Sequence, residues 1–320
     1  MPQQREIYIL GTGMVTPHGV QQEALPVDKL ACHIIEPNQR TDTSDLTRFI
    51  PKRALRRIDH FSRLALYASF LALEDAGLLE VDLENTGVAV ASGYGAALTS
   101  FNFLDSFFDN GDRLASPTHF SSGLHNAASA YIAMQTKAQG PCVCTSNIGL
   151  GPAYALASAI HWLQSGIVDY VIVGGVDEHC QVLEYCIDRF QSAEEGAPLL
   201  PNVVAGEGAA FLVLGNEPLK ATSCRLGDLT IAPCSEQKLQ QKSPLVIAPL
   251  GVADQQDMIT ELTSRENVTN ILPILGSHPS ALAFSMVQAA QRVCSNVNSE
   301  AQAFALDGLN NSALISFKSI

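Results

Sequence analysis

The sequence predicts an α/β protein in which short buried strands alternate with helices. The most informative stretch is Gly140–Glu178, which reads as a strand, a tight corner containing glycine, an alanine-rich helix and a second strand: Cys142–Thr145, Pro152–Gln164 and Tyr170–Val173. Pro152 suits the first helical turn, and Gly166 suits the position just after the helix ends. The second strand is a continuous apolar run, typical of a sheet covered on both faces.

Other segments extend the same alternation along the chain. Arg53–Gly77 has a wide apolar helical face and a glycine at its end, which together predict one long helix. The predicted strands are Ile7–Leu10, Gly87–Ala91, Ala210–Leu214 and Leu245–Leu250, and Ala281–Arg292 is a predicted amphipathic helix. Gly11 and Gly13 follow the first strand, but no third glycine or helix completes a dinucleotide-binding fingerprint.

Composition and charge exclude several classes of function. The chain has 320 residues, of which 47% are hydrophobic and 16% charged, enough for one large or two fused globular units. Its net charge of −13 argues against nucleic-acid binding, because no basic tract is available to neutralise phosphates. No apolar run reaches the length of a membrane span, and the N-terminus lacks the basic head and apolar core of a signal peptide, so we expect a cytoplasmic protein.

The cysteines give no sign of a metal site. The chain has 8 cysteines, none in a CxxC pair, and the spacing of Cys142, Cys144, Cys180 and Cys186 matches no zinc pattern. We expect reduced thiols and neither a metal nor a cofactor.

Several motifs resemble the β-ketoacyl synthases of the thiolase-like superfamily. The central stretch is similar to the family pattern that carries a nucleophilic cysteine at the corner before the buried helix. Supporting segments are GTGMVTPHG after the first strand, RRIDHFS in the long helix, and Gly206–Ala209 before Ala210–Leu214. The resemblance implies a layered α-β-α-β-α fold with two related halves, residues 1–215 and a shortened second half of residues 216–320.

The resemblance also implies that the catalytic nucleophile is missing. Counted forward from Gly140 or back from Gly166, the family's cysteine falls on Gly149 without a gap. Glycine has no side chain to acylate. Cys142 and Cys144 fall on the strand before the corner, where a buried cysteine is usually an inert small hydrophobe.

The second half retains one of the family's three further catalytic positions. No histidine occurs between His179 and His278, so the first catalytic histidine is absent, and Pro249 takes its place if LVIAPLG is the matching strand. His278 resembles the second histidine, and the lysine position falls on Pro273. The C-terminal Phe304–Phe317 resembles the family's hairpin, with its glycine run broken. We therefore predict no catalytic residue and interpret His278 as vestigial.

By the same resemblance, Ala115–Gln135 lies at the dimer interface and helps shape the acyl channel, and the aromatic residues of Ala96–Arg113 are candidates for a surface that faces a partner. The candidate residues are Phe107, Phe108, Thr118, His119, Phe120, His125 and Asn126. Aromatic residues at helical spacing are otherwise usually core, and His119 and His125 could equally be partly buried structural histidines.

The favoured hypothesis is a chain-length-factor-like subunit that pairs with an active β-ketoacyl-ACP synthase and shapes its acyl tunnel in fatty acid, polyketide or aryl-polyene-type biosynthesis. An acidic acyl carrier protein would then dock mainly on the partner, because this chain would repel it. The alternatives are a malonyl decarboxylase or acyltransferase that uses Cys144, and a free-standing acyl-binding scaffold.

Overall fold

A computed structural model describes residues 5–20, 23, 35–36, 38–191, 203–221, 223–237, 239, 243–250 and 255–320. The strands are β1 (Tyr8–Thr16), β2 (Gly19–Val20), β3 (Thr86–Ser92), β4 (Cys142–Ser146), β5 (Tyr170–Asp177), β6 (Gly208–Gly215), β7 (Cys224–Pro233), β8 (Leu245–Ile247), β9 (Val268–Asn270), β10 (Glu300–Leu306) and β11 (Asn311–Lys318). The helices are α1 (Lys52–Leu55), α2 (His60–Ala76), α3 (Ala97–Asn110), α4 (Pro117–Ser122), α5 (Ala127–Thr136), α6 (Gly151–Gln164), α7 (Gln181–Gln191), α8 (Gln256–Thr263), α9 (Leu272–Leu275) and α10 (Ala281–Cys294).

The strand order repeats within the chain. The strands are hydrogen-bonded in the order β4-β3-β5-β6-β1-β7-β11-β10-β8-β9, and β2 pairs with β1. Without β2, the order divides into two sets of five strands, β1 and β3–β6 in the first and β7–β11 in the second. If the strands of each set are numbered one to five along the chain, both sets have the order 3-2-4-5-1 from the outer edge of the sheet to its middle. The two sets meet where Tyr8 pairs with Arg225 and Ile9 with Cys224. This repeat is the pair of related halves that the resemblance implies, while the division after residue 215 stays a prediction.

Three apolar clusters define the layers. The largest contains α6 and α10 together with strand residues of both halves, such as Val173 and Ile315. A second packs α2 against the outer face of the first half, through Leu64, Leu71 and Phe211 among others. The third is small and joins α8 to β8 and β10. Helices therefore lie between the two strand sets of the continuous sheet and on their outer faces, which confirms the predicted layered α-β-α-β-α fold with a reduced second half.

The long helix predicted over Arg53–Gly77 is wrong at its start. The structure has the short α1 and then α2, which begins after Asp59. Asp59 has an extended backbone, and its carboxylate accepts a hydrogen bond from the Ser62 amide at 3.1 Å. This capping bond satisfies an amide that has no partner inside the helix, so a new helix starts here. The predicted end is confirmed, since Gly77 is left-handed with φ 73°.

The strand before the corner is not buried as expected. β4 lies at the end of the strand order and pairs only with β3. Cys142 is exposed and Cys144 half-buried. The apolar character of CVC reflects an edge whose outer side has no partner within the described chain, rather than a central strand.

Candidate functional site

Gly149 lies in the corner between β4 and the first turn of α6, at the position where the sequence places the missing nucleophile. Its φ is +100°, and a Cβ added there would lie 2.8 Å from the Leu306 carbonyl oxygen and 3.4 Å from Cδ1 of Leu250. Its amide donates to the Pro279 carbonyl at 3.3 Å. The corner therefore has no side chain, little space for one, and an amide already engaged rather than free to stabilise an oxyanion.

His278 lies in the loop before α10 and is fully buried. Its Nδ1 is 3.2 Å from the Ser280 hydroxyl, and its ring meets Phe284 edge-on with centroids 5.0 Å apart. Burial lowers the pKa of His278 to about 4, so the imidazole is neutral near pH 7. Nε2 has no hydrogen-bond partner among the described residues. Among the described residues, the hydrogen-bond partner of the His278 ring is the Ser280 hydroxyl and not a cysteine thiol.

The two predicted proline positions lie in different environments. Pro249 is buried just after β8, and the next residue, Leu250, is the one whose side chain approaches Gly149. The Leu250 carbonyl also accepts a hydrogen bond from the Ser277 hydroxyl, which ties this strand end to the His278 loop. Pro273 is exposed in the short α9. The assignment of these prolines to lost catalytic positions stays a prediction.

Asp177, at the end of β5, is the centre of a buried hydrogen-bond network. One oxygen accepts from the Ser92 hydroxyl at 2.8 Å and from the amides of Gly93 and Tyr94 at 3.0 and 2.9 Å. The other accepts from the Ser280 amide at 2.8 Å. Burial raises the pKa of Asp177, and these donors oppose the rise. Asp177 thus fixes the turn after β3 to the start of α10.

A second buried carboxylate, that of Glu207, connects segments that are far apart in the sequence. It accepts hydrogen bonds from the amides of Thr41 at 2.6 Å and His179 at 3.1 Å, and lies 2.9 Å from Nε2 of His60. Burial alone would raise the pKa of Glu207, but the His60 contact and the amide donors outweigh it and hold that pKa below its ordinary value.

Glu178 should make stability fall with rising pH. Burial raises its pKa to about 7, against an ordinary value of 4.5. Between these values the unfolded chain is ionised and the folded chain protonated, so folding takes up a proton and becomes less favourable as pH rises. Glu178→Gln keeps an acceptor for the Leu98 amide, 2.9 Å away. We expect the variant to be more stable than the native chain by about 3 kcal/mol at pH 8 and equally stable at pH 4.

Urea unfolding of both proteins across this pH range measures the difference. The exposed Glu80→Gln is the matched control and should leave the profile unchanged. A native chain whose stability is flat between pH 4 and 8 would contradict the assignment.

Cys144 has the wrong environment for a displaced nucleophile. Its thiol donates to the His125 carbonyl at 3.1 Å. Burial, with smaller contributions from Asp177 and Cys142, raises the pKa of Cys144 to about 11. A reactive cysteine needs a lowered pKa, because the thiolate is the attacking species. The hypothesis of an enzyme that uses Cys144 therefore gains no support.

The predicted channel or interface residues share an exposed surface. Phe107 and Phe108 are on α3 with exposed fractions of 42% and 76%, and Phe120 on α4 has 55%. The Phe120 and Phe103 rings lie 5.4 Å apart and join the two helices. Thr118, His119, His125 and Asn126 are also exposed. The alternative of partly buried structural histidines is therefore not what the structure shows, and the interface role stays a prediction.

Within the described ranges, no group of three or more His, Cys, Asp and Glu side chains is placed to hold a metal ion. Among the helices of that same part of the chain, none combines the length and apolarity needed to cross a bilayer.

The layers, the repeated strand order and the corner before a central helix define a thiolase-like protein. Residues 27–217 match the family "Beta-ketoacyl synthase, N-terminal domain". The chain therefore belongs to the β-ketoacyl synthase family.

Similar proteins include 3-oxoacyl-[acyl-carrier-protein] synthase 2 of two bacteria. The Synechocystis protein is 25% identical over 240 residues, covering 66% of this chain and 58% of that protein. The protein of Staphylococcus aureus strain COL is 26% identical over 258 residues, covering 70% of this chain and 60% of that protein. The chain thus spans less than two thirds of either relative's length.

Two solved structures have the same fold. A chain of "AntDE:AntF (apo): type II PKS acyl-carrier protein in complex with its ketosynthase bound to the hexaketide" has a TM-score of 0.79 at 18% identity, covering 99% of this chain and 100% of that one. A chain of "The ishigamide ketosynthase/chain length factor" has a TM-score of 0.77 at 16% identity, with the same coverage.

The three buried carboxylates Asp177, Glu178 and Glu207 are not among the site residues predicted from the sequence. A signal for them was present, because each adjoins a glycine-containing apolar strand segment, in GGVDE and GEGA. Acidic residues at the ends of buried strands must find hydrogen-bond donors when they are buried.

Proposed function

We propose that this chain is a non-catalytic, chain-length-factor-like subunit of a heterodimer with an active β-ketoacyl-ACP synthase. In that complex it contributes a dimer face and part of the acyl tunnel, in fatty acid, polyketide or aryl-polyene-type biosynthesis. The observation that carries the proposal is Gly149, a corner without a nucleophile and with the Leu306 carbonyl 2.8 Å from where a Cβ would lie. A partner can supply the chemistry, since subunits of one fold commonly pair across a large shared interface.

An unpartnered surface supports the heterodimer. Ten of the eighteen large apolar side chains exposed in the described chain fall between residues 101 and 154: Phe101, Leu104, Phe107, Phe108, Leu114, Phe120, Leu124, Met134, Ile148 and Tyr154. We call this surface the 101–154 face. The same stretch of chain contains the edge strand β4, and both exposed apolar side chains and an open strand edge are characteristic of interaction sites.

The relatives and structural neighbours are consistent with either kind of subunit. The Synechocystis and S. aureus relatives are named as synthases, and one structural neighbour is a ketosynthase/chain length factor. The distinction therefore rests on the corner itself, where glycine offers neither a thiol nor an amide or hydroxyl side chain.

We expect Phe108→Glu to weaken the heterodimer at least about 30-fold, because a charge placed inside an apolar interface loses its hydration. Co-expression with the cysteine-bearing synthase encoded by the same genome, followed by co-purification and titration, measures the affinity. Val297→Glu is the matched control, since Val297 is 65% exposed and lies outside the 101–154 face. It should bind like the native chain.

Two results would contradict the proposal. One is a native chain that forms no complex with the synthase and behaves as a stable monomer or homodimer, which favours a free-standing scaffold. The other is an isolated chain that condenses acyl units or becomes acylated on Cys144 when incubated with acyl-CoA, as intact-mass measurement would detect.

We further propose that an acyl carrier protein docks mainly on the partner, since carriers are acidic and this chain has a net charge of −13. A local exception is the exposed basic cluster of Lys52, Arg53, Arg56 and Arg57. Changing all four residues to alanine should alter the affinity of the complex for the carrier less than about threefold at physiological salt. A loss of tenfold or more would place the carrier on this chain instead.

A further inference from the structure

Two cysteines from different layers meet at the end of α10. Cys224 is the first residue of β7, and its sulfur lies 3.8 Å from the Ala290 carbonyl oxygen. Cys294 is the last residue of α10 and follows Ala290 by four residues, so it lies one turn farther along the same face of that helix. Cys294 packs against the central apolar cluster that contains Cys224. The two thiols lie close enough for each to shift the pKa of the other.

The two sulfurs differ in access. Cys224 is only 1% exposed, whereas Cys294 is partly exposed and lines a surface cavity of about 180 Å³ beside Thr12, Asp75 and Gln291. A small oxidant can therefore reach Cys294 while Cys224 stays enclosed behind it. Both cysteines are free thiols in the structure.

The pKa values of the two thiols shift in opposite directions, and the more accessible Cys294 is the one whose pKa is lowered. The neighbouring Cys224 thiol lowers the pKa of Cys294, while burial and the nearby Asp75 oppose that effect. The same contact, together with burial, raises the pKa of Cys224. Cys294 is thus the partner better suited to be the attacking thiolate, with Cys224 as the thiol that follows.

We propose that Cys224 and Cys294 form a redox-active pair that a hydroperoxide converts to a disulfide. The Cys294 thiol first releases its proton to solvent. The thiolate attacks a peroxide oxygen, the O–O bond breaks, and a sulfenic acid forms while the leaving hydroxide takes up that released proton to become water. The Cys224 sulfur then attacks the Cys294 sulfur. The S–S bond forms, the S–O bond breaks, and the hydroxyl leaves as water with the Cys224 proton. In total, two thiols and one hydrogen peroxide give one disulfide and two waters.

The disulfide would fasten β7 of the second half to the C-terminal end of α10. The opposite end of α10 is already held by the bond from the Ser280 amide to Asp177. The central helix would then be anchored at both ends, and the crosslink would close a long loop in the unfolded chain. We expect the melting temperature to rise by roughly 5 °C on oxidation.

The test uses the purified full chain treated with a small excess of hydrogen peroxide and then with N-ethylmaleimide. We expect two fewer labelled thiols, a mass lower by two hydrogens before labelling, and a Cys224–Cys294 crosslinked peptide. Cys294→Ser should lose the crosslink and the thermal shift while keeping the native circular dichroism spectrum. Cys186→Ser is the matched control, because Cys186 is also partly exposed but lies on α7; it should keep both.

Three results would overturn the proposal: a sulfinic acid on Cys294 without a crosslink, loss of labelling that is the same in Cys294→Ser, or a crosslink between other cysteines. None of these outcomes depends on whether the chain pairs with a synthase.

Discussion

Replacement of Asp177 by alanine is expected to lower the free energy of unfolding by about 3–5 kcal/mol. The carboxylate is completely buried and accepts four hydrogen bonds, three of them from backbone amides. Alanine would leave these donors enclosed without acceptors, and each unsatisfied buried donor costs a desolvation penalty. Urea unfolding followed by circular dichroism measures the change.

Two further variants separate this effect from the general cost of removing a carboxylate. Asp169 is exposed and accepts one hydrogen bond, from Asn85 at 2.8 Å, so Asp169→Ala should cost less than about 1 kcal/mol. Asp177→Asn retains one oxygen acceptor and should fall between the two alanine variants. If Asp177→Ala unfolded at the same urea concentration as Asp169→Ala, the network would not have the importance assigned to it here.

Placing a cysteine at Gly149 is expected to lower the stability of the protein without making the corner reactive toward acyl groups. Gly149→Cys must adopt a φ of +100° and bring its Cβ within 2.8 Å of the Leu306 carbonyl oxygen and 3.3 Å of the Asp307 Cα. Because both contacts are with backbone, β10 would have to move, and we expect a loss of about 2–4 kcal/mol. We also expect no thioester, since the variant still has no paired imidazoles.

Denaturation and intact-mass measurement after incubation with acyl-CoA test both parts of this expectation. Gly308→Cys is the matched control: a Cβ there meets nothing within 4 Å, so its stability should match that of the native chain. A Gly149→Cys protein that is as stable as the control and becomes stoichiometrically acylated would show that the corner still accommodates a nucleophile.

The sequence predicted the central unit well because its signals are local. Gly140, Pro152 and Gly166 mark the beginning and end of short elements. The continuous apolar run Tyr170–Val173 is typical of a strand in a sheet covered on both faces. These markers placed Gly149 in the corner, where the structure has it. The end of α2 at Gly77 was predictable for the same reason.

Other features depended on contacts between distant parts of the chain. The break before α2 depends on Asp59, which reads as an ordinary helical residue until its capping bond is seen. The exposure of β4 follows from its place in the sheet, which local apolarity does not reveal. The partners of Asp177 are separated from it by up to 103 residues, so no local pattern predicts the network.

The bonds of Asp177 also determine how the molecule comes apart. Its three partners at residues 92–94 belong to the first strand set, whereas Ser280 belongs to the second. Helices α6 and α10 are likewise buried in a single apolar cluster with strands of both sets. Unfolding either set alone would therefore expose apolar surface of the other. We expect the protein to unfold in one cooperative transition, and a fragment ending at residue 215 to expose the apolar surface that α10 covers.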